Sequence, residues 1–278
     1  MIEIVILADN RPTPTKSPIK IEHGLSIYIE FDDLRILCDM GASNLYAKNG
    51  ELMGVDLNDL DFAFVSHAHA DHTGGLRYLL ENHTCDVYLS DKIRDHKFHS
   101  SRGGARRDIS HDNTLFKQYP DRLEEIEESC WIGDKVAIVT NFMKKYPQPQ
   151  GNAHLTCDNA HDDFAHEMAL VLDTEEGVVI ISPCTHSGAA NVIESCREFT
   201  GKQDVVAFIG GLHFVDHPKG TTTGYDEVLQ FTRTVARIAP DTQIITGHCT
   251  ASEAENALLT LFNPDDLQFF HSGAIIEL

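Results

Sequence analysis

The segment Ser66–Leu76 constrains the fold and chemistry of this chain more than any other, because it places three histidines and an aspartate within six residues. The apolar run at 61–65 before it is typical of a buried strand, and the run at 76–80 after it is typical of a helix. Side chains at such a strand-to-helix junction can converge on one point. Imidazole nitrogens and carboxylate oxygens are ligands of zinc, iron and manganese. The segment therefore predicts a metal site, and a run of surface histidines is the alternative.

The spacing within the segment predicts two ions. His67 and His69 are two residues apart on an extended stretch, so both can face one side and bind one ion. Asp71 and His72 lie at the junction and suit a second ion about 3.5–4 Å from the first. We expect two divalent ions, zinc in the first place, with iron or manganese as the alternatives.

The remaining ligands must come from the ends of other strands. His186 follows the apolar run 178–182 and is the expected third ligand of the first ion. His248 follows the run 243–246 and is expected to complete the second ion. A buried structural histidine is the alternative for each. His213 follows a third such run and is their rival; its other role is contact with the substrate or proton donation.

Further motifs accompany the first one, namely Asp9-Asn10, Glu22-His23-Gly24-Leu25-Ser26, Leu37-Cys38-Asp39-Met40-Gly41, Pro183-Cys184-Thr185-His186-Ser187-Gly188, Gly210-Gly211-Leu212-His213 and Gly247-His248-Cys249-Thr250. With H-x-H-x-D-H they resemble the metallo-β-lactamase fold superfamily. Within it they resemble the branch related to 7,8-dihydropterin-6-yl-methyl-4-(β-D-ribofuranosyl)aminobenzene 5'-phosphate synthase. The resemblance runs from residue 1 to the C-terminus. It implies an α/β fold (α+β in some schemes), a four-layer αββα sandwich with a dinuclear metal site.

Two residues are interpreted through this resemblance. Many superfamily members carry an aspartate that bridges the two ions at the end of a strand, and Cys184 stands in that place here. A thiolate can bind zinc or iron, so Cys184 is either a ligand or a small buried residue. Asp39 resembles the carboxylate that orients a ligating histidine in this fold, and turn formation is its alternative role.

The composition excludes several classes of function. The 278 residues carry a net charge of −21, which argues against nucleic acid as a partner because phosphate binding needs clustered Lys and Arg. No apolar run approaches the length of a membrane span, and the first residues read as a strand, so we expect a cytoplasmic protein without membrane contact. Seven scattered cysteines without a C-x-x-C pair are typical of a reducing compartment. Homo-oligomerisation is left open.

Strand-like and helical runs alternate along the chain, and no linker divides it, so we expect one domain over 1–278. Predicted helices include Asp121–Glu127, where acidic helix formers surround two apolar residues. Two stretches near 92–120 and 146–167 read as inserted loops, and loops of this length are usually functional or disordered.

The predicted function is a metal-dependent hydrolase acting on a small molecule. Asp71 could orient the attacking hydroxide, and His213 or His23 could protonate the leaving group. A basic loop in an acidic chain favours a phosphorylated or otherwise anionic substrate, with a solvated loop as the alternative; its arginines are Arg102, Arg106 and Arg107. The resemblance implies a second possibility, a transferase that joins a dihydropterin diphosphate to an aminobenzene ribofuranosyl phosphate. A non-catalytic metal-binding sensor is the third.

Overall fold

The computed structural model describes residues 1–215 and 224–278, and its contacts divide the chain into two compact units. Unit 1 consists of Met1–Phe98, Ile109–Glu127 and Phe270–Leu278, and unit 2 of His99–Asp108 and Glu128–Phe269. Each unit contains its own seven-stranded sheet. In the described part of the chain, no helix has the length and apolar character that crossing a membrane would require.

The strands and α-helices follow one another along the chain as β1 (Ile2–Ala8), β2 (Ser26–Phe31), β3 (Leu34–Cys38), α1 (Leu45–Met53), β4 (Phe62–Phe64), α2 (Ala70–Thr73), α3 (Leu76–Asn82), β5 (Asp86–Ser90), β6 (Phe98–Ser100), β7 (Arg107–Asp108), α4 (Thr114–Gln118), β8 (Leu123–Ile126), β9 (Cys130–Ile132), β10 (Val136–Thr140), β11 (Leu155–Cys157), β12 (Ala160–His161), β13 (Met168–Asp173), β14 (Val178–Ile181), α5 (Ala189–Thr200), β15 (Val205–Ile209), α6 (Tyr225–Ile238), β16 (Gln243–Thr246), α7 (Ser252–Leu261), β17 (Leu267–Phe269) and β18 (Ile275–Glu277).

The sheet of unit 1 has the order β18-β1-β2-β3-β4-β5-β8. Strands β18, β1, β2 and β3 pair antiparallel, whereas β3, β4, β5 and β8 pair parallel. β1 reads Ile-Glu-Ile-Val-Ile-Leu-Ala and is buried along almost its whole length, as expected of a β-branched strand in the interior of a sheet. The parallel strands end at the same edge, and the H-x-H-x-D-H segment leaves the sheet there, directly after β4.

One predicted helix is wrong. Residues 123–126 form β8, which pairs in parallel with β5 at the edge of the sheet, with Leu123 opposite Val87. The glutamates between Leu123 and Ile126 favour a helix locally, but burying Leu123 against the sheet overrides that preference. Charged side chains on an edge strand also oppose pairing with a second molecule.

The sheet of unit 2 has the order β17-β16-β15-β14-β13-β10-β9. Strands β14, β15, β16 and β17 run parallel, and the rest of the sheet is antiparallel. Helices α5, α6 and α7 contribute apolar residues such as Val192, Phe231 and Leu258 to one core with the strands. Because parallel strands share an orientation, the segments that follow β14, β15 and β16 all leave from one edge of this sheet.

The inserted loops are more ordered than the sequence suggested. Strands β6 and β7 come from the stretch near 92–120, and β11 and β12 come from the stretch near 146–167. They join in one small sheet of order β12-β11-β6-β7. The turn between β6 and β7 contains Gly103 and Gly104, both in the left-handed region of φ that favours glycine.

Candidate metal centre

The H-x-H-x-D-H segment lies at the strand-to-helix junction that the sequence predicted. β4 ends at Phe64, and α2 begins at Ala70 with His69 as its N-cap residue. The side chains of His67, His69 and His72 are buried. The neutral imidazole is the form of histidine that binds metal.

The donor atoms of this segment are close together. His67 Nε2 lies 3.1 Å from His69 Nδ1. Two nitrogens bound to one tetrahedral zinc ion are separated by about 3.3 Å, as follows from metal–nitrogen bonds of about 2.05 Å. The rings of His67 and His72 are 4.2 Å apart, and His72 Nε2 is 3.9 Å from Asp71 Oδ2. The geometry thus matches a pair of ligands for one ion with further donors next to it.

Asp39 holds this arrangement in place. Its carboxylate accepts a hydrogen bond of 2.6 Å from His72 Nδ1, which leaves His72 Nε2 as the donor atom for a metal. It also accepts bonds of 2.7 Å from both the backbone N–H and the hydroxyl of Ser66, and Ser66 Oγ lies 2.8 Å from His67 Nδ1. Asp39 itself has a left-handed φ of 58°. These are the contacts that the orienting role expected of Asp39 requires.

Two glycines allow the backbone to pack tightly behind the segment. A Cβ atom at Gly74 would lie 2.2 Å from the carbonyl oxygen of Ala42, and one at Gly75 would lie 2.3 Å from that of Met40. Glu22 fixes the same turn, because its carboxylate accepts hydrogen bonds from the backbone N–H groups of Ala42 and Ser43. The position of α2 therefore depends on the absence of side chains at 74 and 75.

In unit 2, His186 is held on several sides. Its Nδ1 lies 3.1 Å from Asn152 Oδ1, and its ring stacks on Phe164 with centroids 4.5 Å apart. Its backbone N–H donates to Glu167 Oε1 at 2.6 Å. Glu167 is buried, and this burial raises the pKa of its carboxyl despite the hydrogen bonds it accepts from His186 and Ser187. The sequence analysis did not identify Asn152, Phe164 or Glu167.

His213 lies beside His186, with ring centroids 4.2 Å apart. Its Nδ1 is 3.8 Å from Cys184 Sγ, which in turn is 3.5 Å from Cys249 Sγ. His213 and His248 both have left-handed φ values near 51°. Non-glycine residues rarely adopt this conformation, and where they do they are held by their surroundings, often at functional sites.

Cys249 was also missed in the sequence, although it directly follows the predicted ligand His248. Burial alone would raise the pKa of its thiol, but hydrogen bonds to Cys184 and His213 and the nearby charge on His248 and His213 hold the pKa well below its usual range. These contacts favour the thiolate, which is the form of cysteine that binds metal.

His23 and the three arginines predicted to contact the substrate are more exposed to solvent than the buried histidines. The His23 side chain is 76% exposed, and its Nε2 lies 3.6 Å from Asp71 Oδ2. Arg106 and Arg107 are exposed and Arg102 is half-buried, all in or next to the turn between β6 and β7. Arg106 donates a hydrogen bond of 2.6 Å to Asn159 Oδ1 and also contacts His99 Nδ1.

Unit 2 also contains an open pocket lined by residues that flank His213 in the sequence, with about 450 Å³ of space that includes open solvent. Its walls are mainly apolar and include Leu212, Phe214 and Phe231. Glu227 is the carboxyl group in this wall, where its burial raises its pKa against a hydrogen bond from the backbone N–H of Gln150.

The sequence profile of the family described as "Metallo-beta-lactamase superfamily" matches residues 20–182, which is more than half of the chain. The chain belongs to this superfamily. The predicted α/β metallo-β-lactamase fold is thereby confirmed.

Individual relatives agree with this assignment. The chain is 27% identical, over 94% of its length and 92% of the relative's, to the 7,8-dihydropterin-6-methyl-4-(beta-D-ribofuranosyl)-aminobenzene-5'-phosphate synthase of Methanocaldococcus jannaschii. Among solved structures, it resembles Tm1679, a metal-dependent hydrolase of the beta-lactamase superfamily, with a TM-score of 0.81 and 23% identity over 100% and 99% of the two chains. It also resembles Zn²⁺-bound PqqB from Methylobacterium extorquens, with a TM-score of 0.56 and 13% identity over 99% and 100%. The first of these confirms the resemblance to the branch that the sequence motifs indicated.

Proposed function

We propose that this protein is a metal-dependent hydrolase that acts on a small, phosphorylated or otherwise anionic molecule. The observation that carries the proposal is the H-x-H-x-D-H cluster, whose three histidines are buried and in which His67 Nε2 and His69 Nδ1 lie at the separation of two ligands of one ion. The donor set of imidazoles and a carboxylate fits zinc, with iron or manganese as alternatives.

The proposed ligands of two divalent ions are those predicted from the sequence: His67, His69, Asp71, His72, His186 and His248. The hydrogen bonds of Asp39 to His72 and of Asn152 to His186 support this assignment, because each engages Nδ1 and leaves Nε2 as the donor. Bound ions of this kind polarise the oxygen under attack and lower the pKa of water.

The protein's own groups would position the substrate and move protons. Asp71 is partly exposed, so its carboxylate can accept a proton from an attacking water and orient that water. His213 and His23 are the proposed proton donors to the leaving group. His23 is within 3.6 Å of Asp71, which places an exposed imidazole next to the proposed acceptor.

The anionic substrate is proposed from the basic turn of Arg102, Arg106 and Arg107. The Arg106 guanidinium is held by an amide and an imidazole, so its orientation is fixed by groups that leave its positive charge available to an anion. In a chain with a net charge of −21, such a turn is an unusual concentration of positive charge.

A transferase is the second candidate, supported by the synthase of M. jannaschii, which is similar to this chain over 94% of its length. Here the protein would join a dihydropterin diphosphate to an aminobenzene ribofuranosyl phosphate and release diphosphate. The two reactions differ in the nucleophile. Hydrolysis adds an oxygen atom from water to the product, whereas the transfer does not.

The deciding experiment combines metal analysis with turnover. Wild-type protein is expected to contain one to two metal equivalents at this centre. The His67→Ala/His69→Ala variant is expected to lose the ion bound by these two histidines and to fall to background activity. The control variant, His83→Ala/His161→Ala, removes two histidines outside the segment and should retain both. Full metal content in the first variant would contradict the proposed site.

Turnover is then tested on phosphomonoesters, aryl phosphodiesters, lactones, thioesters, β-lactams and the two synthase substrates in ¹⁸O-labelled water. Label in the product supports the hydrolase. Unlabelled coupled product with released diphosphate supports the transferase. Metal binding without any turnover would favour a sensor instead.

A further inference from the structure

Two cysteine sulfurs and one histidine nitrogen lie together at one edge of the unit 2 sheet. Cys184 follows β14, His213 follows β15 and Cys249 follows β16, and these three strands are parallel neighbours. Their carboxyl ends therefore deliver a thiol, an imidazole and a second thiol to the same place, although the three residues are far apart in the sequence. Cys184 and His213 are buried, and Cys249 is half-buried.

The distances between these atoms are those of ligands around one metal ion. With metal–sulfur bonds of about 2.3 Å and metal–nitrogen bonds of about 2.05 Å, a tetrahedral site places two sulfurs about 3.8 Å apart and a sulfur about 3.6 Å from a nitrogen. Here the sulfurs of Cys184 and Cys249 are 3.5 Å apart, and Cys184 Sγ is 3.8 Å from His213 Nδ1. All three ligand atoms lie within 4.8 Å of one another.

The surrounding backbone fits the sulfur of Cys249 closely. A Cβ atom at Gly211 would lie only 2.3 Å from Cys249 Sγ, so the glycine provides the space that this sulfur occupies. The backbone N–H of His213 points at the same sulfur from 3.3 Å, a contact that stabilises a sulfur carrying negative charge.

Residues at or next to the three donors have a strained backbone conformation. Thr185, next to Cys184, has a left-handed φ of 57°, which is unfavourable for a β-branched residue. His213, and His248 beside Cys249, share this conformation with φ values of 51°. Such a conformation is unfavourable and persists only where surrounding contacts require it. The strained residues are adjacent to, or part of, the group of three donors.

We propose that Cys184, Cys249 and His213 bind one soft divalent cation, such as zinc, through two sulfurs and Nδ1, with the fourth position open to an exogenous ligand. Two thiolates and one imidazole form a known zinc set that leaves a position for water or substrate. Thiolates select zinc, cadmium or cobalt over magnesium or calcium, whereas the imidazole and carboxylate donors of the H-x-H-x-D-H segment do not require a soft ion. The two sulfur donors distinguish this ligand set from that of the segment, and the proposed hydrolase function assigns no ion to it. His213 would bind the ion through Nδ1 and keep Nε2 for the proton donation proposed above.

The test uses Co²⁺ in the full-length His67→Ala/His69→Ala variant, purified under reducing, anaerobic conditions and stripped of metal. Bound Co²⁺ should produce an intense near-ultraviolet band from sulfur-to-cobalt charge transfer, with visible bands typical of tetrahedral coordination. Adding Cys184→Ser or Cys249→Ser should weaken the band, and adding both should abolish it and remove about one metal equivalent. His213→Ala should shift the visible bands and weaken Co²⁺ binding.

Cys130 is a half-buried cysteine of β9, and Cys130→Ser is the matched control, which should leave the spectrum unchanged. Circular dichroism confirms that each variant is folded, and Cys184→Ala/Cys249→Ala replaces any serine variant that is not. The proposal is overturned if no sulfur-to-cobalt band forms, or if the band survives the double cysteine variant. It is also overturned if mass spectrometry finds Cys184 and Cys249 joined as a disulfide in the anaerobic protein. Because binding is measured without substrate, an inactive hydrolase would leave this result untouched.

Discussion

The two units supply functional side chains in different ways. In unit 1, four donors come from six consecutive residues, and one turn between β4 and α2 sets their positions. In unit 2, the corresponding side chains come from three strand ends, so their proximity depends on the register of β14, β15 and β16. A local cluster needs one well-formed turn, whereas a dispersed cluster needs a whole sheet edge. The first should therefore respond to changes in its turn, and the second to changes in strand packing.

Support from neighbouring side chains differs between the units in a way that can be measured. Asp39 presents a buried carboxylate to His72 at 2.6 Å, whereas Asn152 presents a neutral amide to His186 at 3.1 Å. Asp39→Ala should lower metal affinity and activity by about 10–100-fold. Asn152→Ala should lower metal affinity and activity less than Asp39→Ala does, because a hydrogen bond to a charged group is about twice as strong as a neutral one. Titration with a zinc indicator measures both.

Asp39→Asn is the control for this pair, because it retains the shape of the side chain and removes its charge. It should fall between wild type and Asp39→Ala. An Asn152→Ala defect as large as that of Asp39→Ala would show that the dispersed cluster depends on its supports as strongly as the local one.

Backbone packing provides the second comparison. A Cβ atom at Gly74 would meet the backbone oxygen of Ala42 at 2.2 Å, whereas one at Gly211 would meet the side-chain sulfur of Cys249 at 2.3 Å. A sulfur can rotate away, but a backbone carbonyl cannot. Gly74→Ala should therefore lower the free energy of unfolding by about 1–3 kcal/mol, and Gly211→Ala by less. Urea denaturation measures both changes.

Gly50→Ala is the control, because Gly50 lies within α1 and an added Cβ would meet Leu7 and Val55 at 3.7 Å, an ordinary contact distance. It should not lower stability. Gly211→Ala should also weaken the sulfur-to-cobalt band, while Gly74→Ala should not. The opposite pattern would break the distinction between turn-based and sheet-based clusters.

Much of the fold was predictable because it is encoded locally. The apolar runs at 178–182 and 243–246 predicted β14 and β16 to within one residue. The helix predicted at 121–127 was wrong because pairing with β5, which is a long-range contact, decides its conformation. The short strands β6 and β11 were missed for the same reason: each is stabilised by a partner distant in sequence.

The same division holds for the candidate site. His67, His69, Asp71 and His72 were recognisable because their spacing is itself the signal. Asn152 and Glu167 carry no such signal, since only the folding of unit 2 brings them to His186. Cys249 offered one clue, its place directly after His248 at a strand end, but its partner Cys184 is 65 residues away.

The exposed substrate contacts should show smaller effects. Arg106→Gln, combined with Arg102→Gln and Arg107→Gln, should raise KM for phosphorylated substrates more than for neutral esters, and leave metal content unchanged. A charge-assisted contact is worth about 1.5–3 kcal/mol when dry, but an exposed turn is screened, so a several-fold change is expected. High salt should weaken the wild-type preference in parallel. Equal losses for both substrate classes would mean that the turn only shapes the pocket.

The smallest expected effects are changes in stability when one glutamate in each unit, Glu227 or Glu22, is replaced by glutamine. The two changes should have opposite signs at neutral pH. Burial in the apolar pocket raises the pKa of Glu227, so the folded state favours its protonated form. Stability contributed by that form is present at low pH and is lost as the pH rises from the ordinary glutamate pKa to the raised one. Glu227→Gln should therefore be more stable than wild type at neutral pH and equal to it in acid. Gln retains an oxygen for the bond from Gln150.

Replacing Glu22 of unit 1 by glutamine should change stability at neutral pH in the opposite direction. Its carboxylate accepts hydrogen bonds from Ala42 and Ser43 through Oε1 and from the Ser43 hydroxyl through Oε2, and glutamine can replace only one of these oxygens as an acceptor. Glu22→Gln should therefore lower stability at neutral pH, because it loosens the turn behind Gly74. Urea denaturation across pH, with the exposed Glu253→Gln as control, measures both. A Glu227→Gln variant less stable than wild type at neutral pH would contradict the raised pKa of Glu227 as a cost to the folded state.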